Sequence, residues 1–477
     1  MDSLTVRELL EATAGRLVRG ALDDRFTGVS TDSRSVQAGD LFVPLRGERF
    51  DGHQFIGEAL AARAAGFLLE RAGAGWLPSD EGGGAFAVAV EDTLVALQRL
   101  AAFYRRRFAI PVVGVTGSVG KTTTKDLIAA VLGSRWRTVA TKGNLNNEIG
   151  LPLTVFRLNS ASEAACFELG MRGLGQIRTL AEIIRPTVGV VTNVGETHLE
   201  LLGSQENIAR AKAELIEALP PDGVAVLNAD DPRVLAMAQI SPARVVCYGL
   251  LRPGERPEER RLDVAGEAVE SHGVRGVSLT LLAGEQRQAV KLPIPGVHNA
   301  RNALAAAAVG VALGLTLAGV ARGLEQVRLT EMRLQVERGR EGFLLINDAY
   351  NASPASVRAA LELLVESRSG GQAVAVLGDM LELGEGTAEA HRKIGEYAAQ
   401  LGVDRLVGVG PLSANTVRGA QEAGLGLAEA YETTAAAARA LVGTLRPKDV
   451  VLVKGSRGMH MEEIVQELGR VGAGRHG

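Results

Sequence analysis

Apolar runs alternate with helix-patterned segments through the middle of the chain. Between residues 109 and 328 the runs are VVGVTG, AACFELG, TVGVVTNVG and VAVLNAD, and helical patterns follow them. This alternation predicts an α/β fold with a mostly parallel, doubly wound sheet that binds ligands at the carboxyl ends of its strands. Residues 251–292 are charged and rich in glycine around a β-like VSLTLLAG, so we expect an antiparallel excursion on the same domain.

Two further segments flank this central one. Residues 1–108 contain short strands and turns in FTGVSTDSRSVQAGDLFVPL, a helix in FIGEALAARAAG and a strand in AFAVAV, which indicates a small α/β domain. A second alternating series, FLLINDAY, AVAVLGDM, DRLVGVG and DVVLVKGS, predicts an open α/β domain over residues 329–477. The sequence therefore predicts three domains, 1–108, 109–328 and 329–477.

One charge-free stretch, Ala303–Ala321, has about the length of a bilayer span. It consists mainly of alanine and glycine, whereas a spanning helix is usually rich in leucine and phenylalanine. Gly314, followed by Leu-Thr, is typical of one helix ending and a second being capped. We therefore expect a pair of buried helices here and no membrane span.

Composition narrows the class of protein. A net charge of −3 with only short basic clusters gives no support to a nucleic-acid surface. The two cysteines, Cys166 and Cys247, stand next to apolar residues, which suits reduced thiols in a cytoplasmic protein. The N-terminal MDSLTVRELLEATAG is charged and amphipathic, so we expect neither a signal peptide nor an anchor.

The segment Val112–Lys125, VVGVTGSVGKTTTK, carries the clearest chemistry. An apolar strand runs into a glycine-rich turn and then a helix, the order of a phosphate-binding loop in a shortened form, T-G-x-x-G-K-T. Gly117 and Gly120 let backbone N–H groups converge on an anion, Lys121 supplies a positive charge, and Thr122 offers a hydroxyl to Mg²⁺. The alternative is a tight turn without a ligand.

Lys212 lies on the helix predicted after Ser204. The helical step of 100° places it within an apolar face formed by Ile208, Ala211, Leu215 and Leu219. The opposite face carries Glu206, Arg210, Glu214 and Glu217. A buried lysine loses its preference for the charged form, so its amine becomes a nucleophile. The pattern is equally compatible with a lysine that reaches solvent at the edge of the helix.

Three further positions are candidates for binding. Glu168 ends the strand CFE, where a carboxylate can hold Mg²⁺ on a nucleotide, although an ion-paired or capping glutamate would look the same. His198 follows the strand VGVVTN as a candidate metal ligand or a simple hydrogen-bonding histidine. Asn299 and Asn302, in PGVHNARN, share one helical turn and could contact an adenine edge or cap the helix.

Together these motifs resemble the Mur ligases of peptidoglycan synthesis. The segments that carry the resemblance occur in family order: TGSVGKTTTK, GNLNNEIGLP, FELGMRGLGQI, TNVGETHLELLGSQENIARAKAEL, HNARN, NDAYNASPASV, GDMLELGE and VKGSRGM. The resemblance covers nearly the whole chain and includes STDSRSVQAGDLFVPLRGERFDGHQFI, which is similar to the family's uridine-nucleotide domain. NDAYNASP and GDMLELGE favour the member that adds D-alanyl-D-alanine to a UDP-muramyl-tripeptide.

The resemblance implies ATP and two Mg²⁺ ions as cofactors. It implies that the triphosphate is held by Thr116, Gly117, Ser118, Val119, Gly120, Lys121, Thr122 and Thr123. It implies one Mg²⁺ on Thr122 and Glu168, and a second on His198 and a carbamylated Lys212. Lys121, Glu168, His198 and Lys212 would then form the catalytic centre.

The remaining candidates are implied to bind the nucleotide and the substrates. Asn299 and Asn302 would contact adenine, and Arg333 and Asp348 the phosphate and ribose end. The substrate residues would be Asp32, Ser33 and Arg34 at the uridine nucleotide, Asn146 and Asn147 at the muramyl peptide, and Tyr350 and Asn351 in the third domain.

The implied reaction is ATP-dependent amide formation through an acyl phosphate, by a cytoplasmic monomer. Two alternatives stay open at this point. One is a related ligase that adds an amino acid to a UDP-muramyl peptide or glutamate to folate, the latter disfavoured by the uridine-like N-terminal domain. The other is a P-loop ATPase that acts as a switch or motor and needs no acyl acceptor.

Overall fold

The computed structural model of the chain describes residues 1–47, 50–70, 84–195, 197 and 199–469. Within this part of the chain there are three main sheets, of five, nine and six strands, and a separate two-stranded ribbon. Helices cover these sheets, so the predicted α/β class is confirmed. The domain limits at 108 and 328 stay predictions.

The N-terminal domain is built on the five-stranded sheet, in the order β2-β7-β6-β5-β4. Only β2 runs antiparallel to its neighbour. The ribbon pairs β1 with β3. The elements are β1 (Leu4–Thr5), α1 (Val6–Thr13), β2 (Arg16–Arg19), β3 (Arg25–Phe26), β4 (Gly28–Ser30), β5 (Asp40–Phe42), α2 (Ile56–Ala61), β6 (Gly66–Glu70), β7 (Phe86–Val90) and α3 (Thr93–Arg105).

The central domain holds the nine-stranded sheet. Its elements are β8 (Val112–Thr116), α4 (Lys121–Gly133), β9 (Thr138–Ala140), α5 (Gly150–Val155), β10 (Ala164–Glu168), α6 (Gln176–Ile184), β11 (Val188–Val191), α7 (Leu199–Leu202), α8 (Gln205–Glu217), β12 (Val224–Asn228), α9 (Pro232–Leu235), β13 (Arg244–Leu250), β14 (Val264–Ser271), β15 (Val277–Ala283), β16 (Gln286–Leu292), α10 (His298–Ala312) and α11 (Leu317–Glu325). The strand order is β16-β15-β14-β13-β12-β11-β8-β10-β9.

The excursion over residues 251–292 stays on this sheet, as predicted. Its first strand, β14, pairs parallel with β13, and β15 and β16 then add in antiparallel register. The antiparallel prediction is therefore right for β15 and β16, and wrong for the pairing of β14 with β13.

The C-terminal domain holds the six-stranded sheet, in the order β17-β18-β22-β19-β20-β21, with only β17 antiparallel to its neighbour. Its elements are β17 (Gln335–Arg338), β18 (Leu344–Asp348), α12 (Pro354–Glu366), β19 (Ala373–Gly378), α13 (Thr387–Gln400), β20 (Arg405–Val409), α14 (Ser413–Glu422), β21 (Ala428–Tyr431), α15 (Thr434–Leu441), β22 (Val450–Lys454) and α16 (Glu462–Gly469).

The charge-free stretch forms two packed helices, α10 and α11. Gly314 takes a left-handed backbone conformation between them, and the Thr316 side chain accepts a hydrogen bond from the Gly319 N–H at the start of α11. Most of α10 is buried against the central sheet. The predicted helix pair is confirmed, and among the described residues no helix combines the length and apolarity needed to cross a bilayer.

The N-terminal and central domains share one hydrophobic core. Helix α3 packs on α5 and α6, and a single cluster of buried side chains runs from Leu4 to Ala243 across both domains. Tyr104, fully buried in that cluster, donates its hydroxyl to the carbonyl of Leu158 (2.7 Å) and accepts from the N–H of Asp2 (2.7 Å). The C-terminal domain has its own two clusters, one on each face of its sheet.

Tyr104→Phe tests this shared core. The variant is expected to lower the free energy of unfolding by about 1–3 kcal/mol, because Leu158 and Asp2 would lose a buried hydrogen-bond partner. Urea unfolding followed by circular dichroism measures the change. The matched control is Tyr397→Phe, whose hydroxyl donates to Glu362 at the surface, and it should stay within about 0.5 kcal/mol of wild type. Equal losses in the two variants would contradict the interpretation.

Candidate functional site

The strand register brings three carboxyl ends together. In the central sheet Val191 of β11 is paired with Thr116 of β8, and Glu168 of β10 with Val115 of β8. The loops that leave β8, β10 and β11 therefore begin side by side. This edge of the sheet is where the sequence predicted ligand binding.

The loop after β8 can be built only with glycine at two positions. Gly117 (φ +154°) and Gly120 (φ +83°) both have positive φ. A Cβ at Gly117 would lie 1.9 Å from Thr192 Oγ1, and one at Gly120 would lie 2.7 Å from Asn302 Oδ1. Backbone conformation and close packing thus explain both glycines.

Asn193 holds this loop from the neighbouring strand end. Its Oδ1 accepts from the Val119 N–H (2.9 Å), its Nδ2 donates to the Val119 carbonyl (2.8 Å), and its own carbonyl accepts from the Ser118 N–H (3.0 Å). Thr192 Oγ1 donates to the same Val119 carbonyl (2.9 Å). Neither Asn193 nor Thr192 was predicted from the sequence, although both directly follow the run VGVV at a carboxyl end.

Helix α4 begins at the loop with its N-terminal N–H groups uncapped by any side chain. Lys121, its first residue, folds back so that Nζ donates to the carbonyls of Gly117 (2.8 Å) and Ser118 (3.3 Å). Burial lowers the pKa of Lys121, and the nearby Glu168 carboxylate acts against that shift. The helix N-terminus and the lysine together suit a bound phosphate.

Glu168 is 2% exposed and has an incomplete set of partners. Its Oε1 accepts from Asn146 Nδ2 (2.8 Å), whereas Oε2 is buried and has no hydrogen-bond partner among the described residues. A buried carboxylate oxygen left in this state is costly, and a divalent cation would complete it. Thr122, buried in the first turn of α4, offers a hydroxyl on the same cavity. These residues fit the predicted Mg²⁺ site.

Only part of the second predicted metal site lies within the described residues. His198 lies outside the described residues, and the residues that are described contain no group of three or more histidine, cysteine or acidic side chains suited to a metal. The implied pairing of His198 with Lys212 stays a prediction.

Lys212 is buried inside α8, 1% exposed. Burial, with a smaller contribution from the charge of Lys121, holds the pKa of Lys212 well below its ordinary value. The prediction of a buried amine is confirmed, and the alternative of a lysine that reaches solvent is wrong. Glu214 was expected on the polar face, but it is buried and accepts from the Gly175 (2.6 Å) and Arg178 (3.0 Å) N–H groups at the start of α6.

Asn299 and Asn302 form a buried amide chain in the first turns of α10. Asn302 Nδ2 donates to Asn299 Oδ1 (2.8 Å), and Asn299 Nδ2 donates to the Pro295 carbonyl (2.7 Å). Thr124 of α4 donates its hydroxyl to Asn302 Oδ1 (3.2 Å). Neither amide caps α10, so the capping alternative is wrong. The hydrogen-bonded amides connect α10 to α4, the helix that follows the phosphate-binding loop.

The C-terminal domain lines the side of the binding site opposite the phosphate-binding loop. The guanidinium of Arg333 lies 4.2 Å from the centre of the Tyr350 ring, a cation–π contact. Lys454, at the end of β22, donates to Asp348 Oδ2 (2.6 Å) and to the Asn351 carbonyl (2.8 Å). Lys454 was not predicted from the sequence, although its position at a strand end in DVVLVKGS is a signal for it.

The residues described above line a cavity of about 900 Å³ between the central and C-terminal domains. It brings together most of the predicted residues, namely Thr116, Gly117, Ser118, Val119, Gly120, Lys121, Thr122, Thr123, Asn146, Asn147, Glu168, Lys212, Asn299, Asn302, Arg333, Asp348, Tyr350 and Asn351. A single ligand with a phosphate chain could contact both domains here.

Asp32, Ser33 and Arg34 do not line this cavity. They form a short turn after β4, in which Arg34 makes an ion pair with Asp32 (2.7 Å) and Ser33 Oγ donates to Glu58 Oε2 (2.9 Å). The hydrogen bonds from Arg34 lower the pKa of Asp32 to about 2. Their predicted role at a uridine nucleotide stays a prediction.

Family models match three stretches of the chain. The Mur ligase family catalytic domain matches residues 25–105, the Mur ligase middle domain matches residues 115–310, and the Mur ligase glutamate ligase domain matches residues 332–457. These stretches lie in the N-terminal, central and C-terminal domains respectively.

Characterised relatives and solved structures match over nearly full length. The chain is 38% identical to the UDP-N-acetylmuramoyl-tripeptide–D-alanyl-D-alanine ligase of Bacillus subtilis, over 98% of this chain and 99% of the relative. The Escherichia coli ligase of the same name is 36% identical over 98% and 99%. MurF from Acinetobacter baumannii superposes with a TM-score of 0.86 at 31% identity, covering 98% and 99%. MurF from Thermotoga maritima, solved in complex with ADP, gives 0.78 at 28% identity, covering 93% and 97%.

Lys121→Ala tests the phosphate loop. ATP-dependent turnover is expected to fall on the order of a hundredfold or more, because one charge directed at a transferring phosphoryl group is typically worth about 3 kcal/mol. Steady-state ADP release measures it. Lys291→Ala, an exposed lysine outside the cavity, is the control and should turn over as wild type does. A Lys121→Ala protein with normal turnover would show that the loop does not hold the reacting phosphate.

Proposed function

This chain belongs to the Mur ligase family, and from that premise we propose how it carries out its reaction. It is an ATP-dependent peptide ligase of the type that adds D-alanyl-D-alanine to UDP-N-acetylmuramoyl-tripeptide in peptidoglycan precursor synthesis. The observation that supports the mechanism best is the cavity in which the phosphate loop, the unpaired Glu168 oxygen and the wall of the C-terminal domain face one another.

The nucleotide would lie with its phosphates on the glycine loop. The uncapped N–H groups of α4 and the Lys121 ammonium would bind the β- and γ-phosphates. Arg333 and Asp348 would contact the nucleotide from the opposite wall. The adenine would lie near Asn299 and Asn302. The hydrogen bond from Asn302 to Asn299 and the one from Asn299 to the Pro295 carbonyl fix the orientation of both amides before the nucleotide arrives.

Thr122 and Glu168 would hold Mg²⁺, which supplies charge neutralisation for the phosphate oxygens when bound. We propose two such ions, the second on His198 and a carbamylated Lys212. A neutral amine adds to CO₂ and releases a proton, giving a carbamate with one negative charge. The depressed pKa of the buried Lys212 supports this modification, because the neutral amine is the reactive form.

The first step would activate the peptide carboxylate. A carboxylate oxygen attacks the γ-phosphorus, the bond to the bridging oxygen breaks, and ADP leaves with the negative charge. Lys121 would stabilise the charge on the transferring group. The product is an acyl phosphate, which needs a water-free site, and closure of the C-terminal domain over the cavity would provide one.

The second step would form the amide. The amine of D-alanyl-D-alanine attacks the acyl carbon, its nitrogen loses one proton, and the tetrahedral intermediate collapses with loss of phosphate. Asn146 and Asn147 would position the muramyl peptide, with Tyr350 and Asn351 binding substrate from the C-terminal wall. Asp32, Ser33 and Arg34 would bind the uridine nucleotide outside the cavity, so that remote binding orients the reacting carboxylate.

We also propose that the enzyme acts in the cytoplasm as a monomer. Cys166 and Cys247 are both unpaired thiols, as a reducing compartment favours. Sedimentation analysis at working concentration tests the monomer.

Coupled turnover tests the ligase mechanism against an ATPase switch. ADP and phosphate are expected to form in step with peptide bonds, and only when the UDP-muramyl-tripeptide and D-alanyl-D-alanine are both present. Parallel assays of ADP and of the amide product measure the ratio. Rapid ATP hydrolysis without either substrate would favour the switch.

Lys212→Arg tests the carbamate. The variant places a permanently charged guanidinium where the amine stood, and that group can be neither deprotonated nor carbamylated, so the variant is expected to lose nearly all activity. Wild-type protein in ¹³C-bicarbonate should show a carbamate carbon signal that is missing from the variant, and activity should fall when bicarbonate is removed and recover when it is restored. Lys291→Arg is the control and should match wild type. A fully active Lys212→Arg enzyme would exclude a required carbamate.

A further inference from the structure

Arg333 reaches the cavity from a strained stretch of backbone. The residues on either side of it, Met332 (φ +60°) and Leu334 (φ +48°), have left-handed conformations that non-glycine residues rarely adopt. In the described part of the chain they are the most closely spaced pair of non-glycine residues in this conformation. Strain of this kind persists only where the surroundings enforce it, and it is concentrated at functional sites.

Contacts with the C-terminal sheet enforce both conformations. The Met332 carbonyl accepts from the Tyr350 N–H (3.2 Å), and the Leu334 N–H donates to Asp348 Oδ1 (3.2 Å). The other carboxylate oxygen of Asp348 accepts from Lys454 Nζ (2.6 Å), so this acceptor is itself held in place. The Leu334 side chain packs against a hydrophobic cluster of the same domain. Residues 332–334 are therefore fixed to the end of β18 and to the loop that follows it.

The same stretch is also tied to the central domain. The Thr330 N–H and hydroxyl both donate to the Asp126 carboxylate of α4 (2.7 and 3.2 Å). Only Glu331 separates Thr330 from Met332. The backbone around Arg333 thus cannot relax to an ordinary conformation without breaking a contact to one domain or the other.

The Arg333 side chain carries its charge to the phosphate loop. Its guanidinium stacks on the Tyr350 ring (4.2 Å to the ring centre), and its Nε is buried with no hydrogen-bond partner among the described residues. Burial lowers the pKa of Lys121, Glu168 opposes that shift, and the positive charge of Arg333 adds to it. An aromatic face does not cancel the charge of a guanidinium as a carboxylate would, so the charge stays available to an anion in the cavity.

We propose that Met332 and Leu334 are positioning residues, whose left-handed backbone directs Arg333 at the phosphate chain of ATP. This inference rests on the proposed ligase function. A residue that turns either position to an extended or helical conformation would point the Arg333 side chain in another direction. The two unfavourable conformations are the cost of a charge that is held in place for phosphoryl transfer.

Met332→Ile tests the assignment, because a β-branched side chain disfavours the left-handed conformation most strongly. ATP turnover (kcat) is expected to fall on the order of ten- to a hundredfold, the usual loss when one charged group no longer reaches a transferring phosphoryl group. The KM values for D-alanyl-D-alanine and for UDP-muramyl-tripeptide should stay within about twofold. Met332→Thr, with a smaller β-branched side chain, replaces this variant if urea unfolding shows that it does not fold.

Met332→Gly separates a role of the backbone from a role of the side chain. Glycine adopts a positive φ readily, so turnover should stay within about threefold of wild type. It should do so although the contact between Met332 Sδ and Arg457 Nη1 (3.6 Å) is lost. Ala14→Ile is the matched control, since Ala14 is left-handed (φ +53°), exposed and outside the cavity. It should lower the unfolding midpoint and leave kcat and all KM values unchanged.

A double-mutant cycle connects the effect to Arg333. Arg333→Ala should lower turnover, and adding Met332→Ile to it should cause no further loss, because the group that the backbone positions is already absent. Wild-type turnover in folded Met332→Ile, a Met332→Gly enzyme as slow as Met332→Ile, or losses that multiply in the double variant would each overturn the assignment. A wild-type enzyme that forms no amide from ATP, UDP-muramyl-tripeptide and D-alanyl-D-alanine would instead overturn the ligase mechanism.

Discussion

Buried charge without a complete set of partners is the constraint on which this structure depends. The register of β8, β10 and β11 places Lys121 and Glu168 at one sheet edge, and Lys212 lines the same cavity. Burial lowers the pKa values of both lysines, and within the described part of the chain one oxygen of Glu168 has no hydrogen-bond partner. Such an arrangement is costly in the free protein. A nucleotide polyphosphate with its metal would supply the missing charges, so the site is built for binding at the expense of local stability.

The domains on the two sides of that edge differ in how they are packed. The N-terminal and central domains share a core through α3, whereas the C-terminal domain has separate cores. The segment that leads into the C-terminal domain is hydrogen-bonded to α4, since the Asp126 carboxylate accepts from the Thr330 N–H (2.7 Å) and from the Thr330 hydroxyl (3.2 Å). The helix that carries the phosphate loop therefore also holds the start of the C-terminal domain, which suits a domain that closes on a bound nucleotide.

The sequence predicted best those features that leave a periodic or fixed-spacing signal. The strand–helix alternation, the glycine loop and the place of Lys212 in an apolar helical face are of this kind, and the structure confirms each. Asn193 and Lys454 are single polar residues at the carboxyl ends of strands, and only the register of the sheets shows that they reach the cavity. The hydrogen bonds of Asn299 and Asn302 depend on contacts with another helix, so the helical pattern alone left adenine contact and helix capping both open.

The central claim is that this cavity transfers the γ-phosphoryl group of ATP to a peptide carboxylate. Positional isotope exchange tests it most directly, with ATP labelled by ¹⁸O at the β–γ bridge, Mg²⁺ and UDP-muramyl-tripeptide, and without dipeptide. Reversible formation of an acyl phosphate frees the β-phosphate of bound ADP to rotate, so we expect the label to move from the bridge to non-bridging β positions only when the tripeptide is present. A label that stays in the bridge while the wild-type enzyme still forms the amide would contradict the claim.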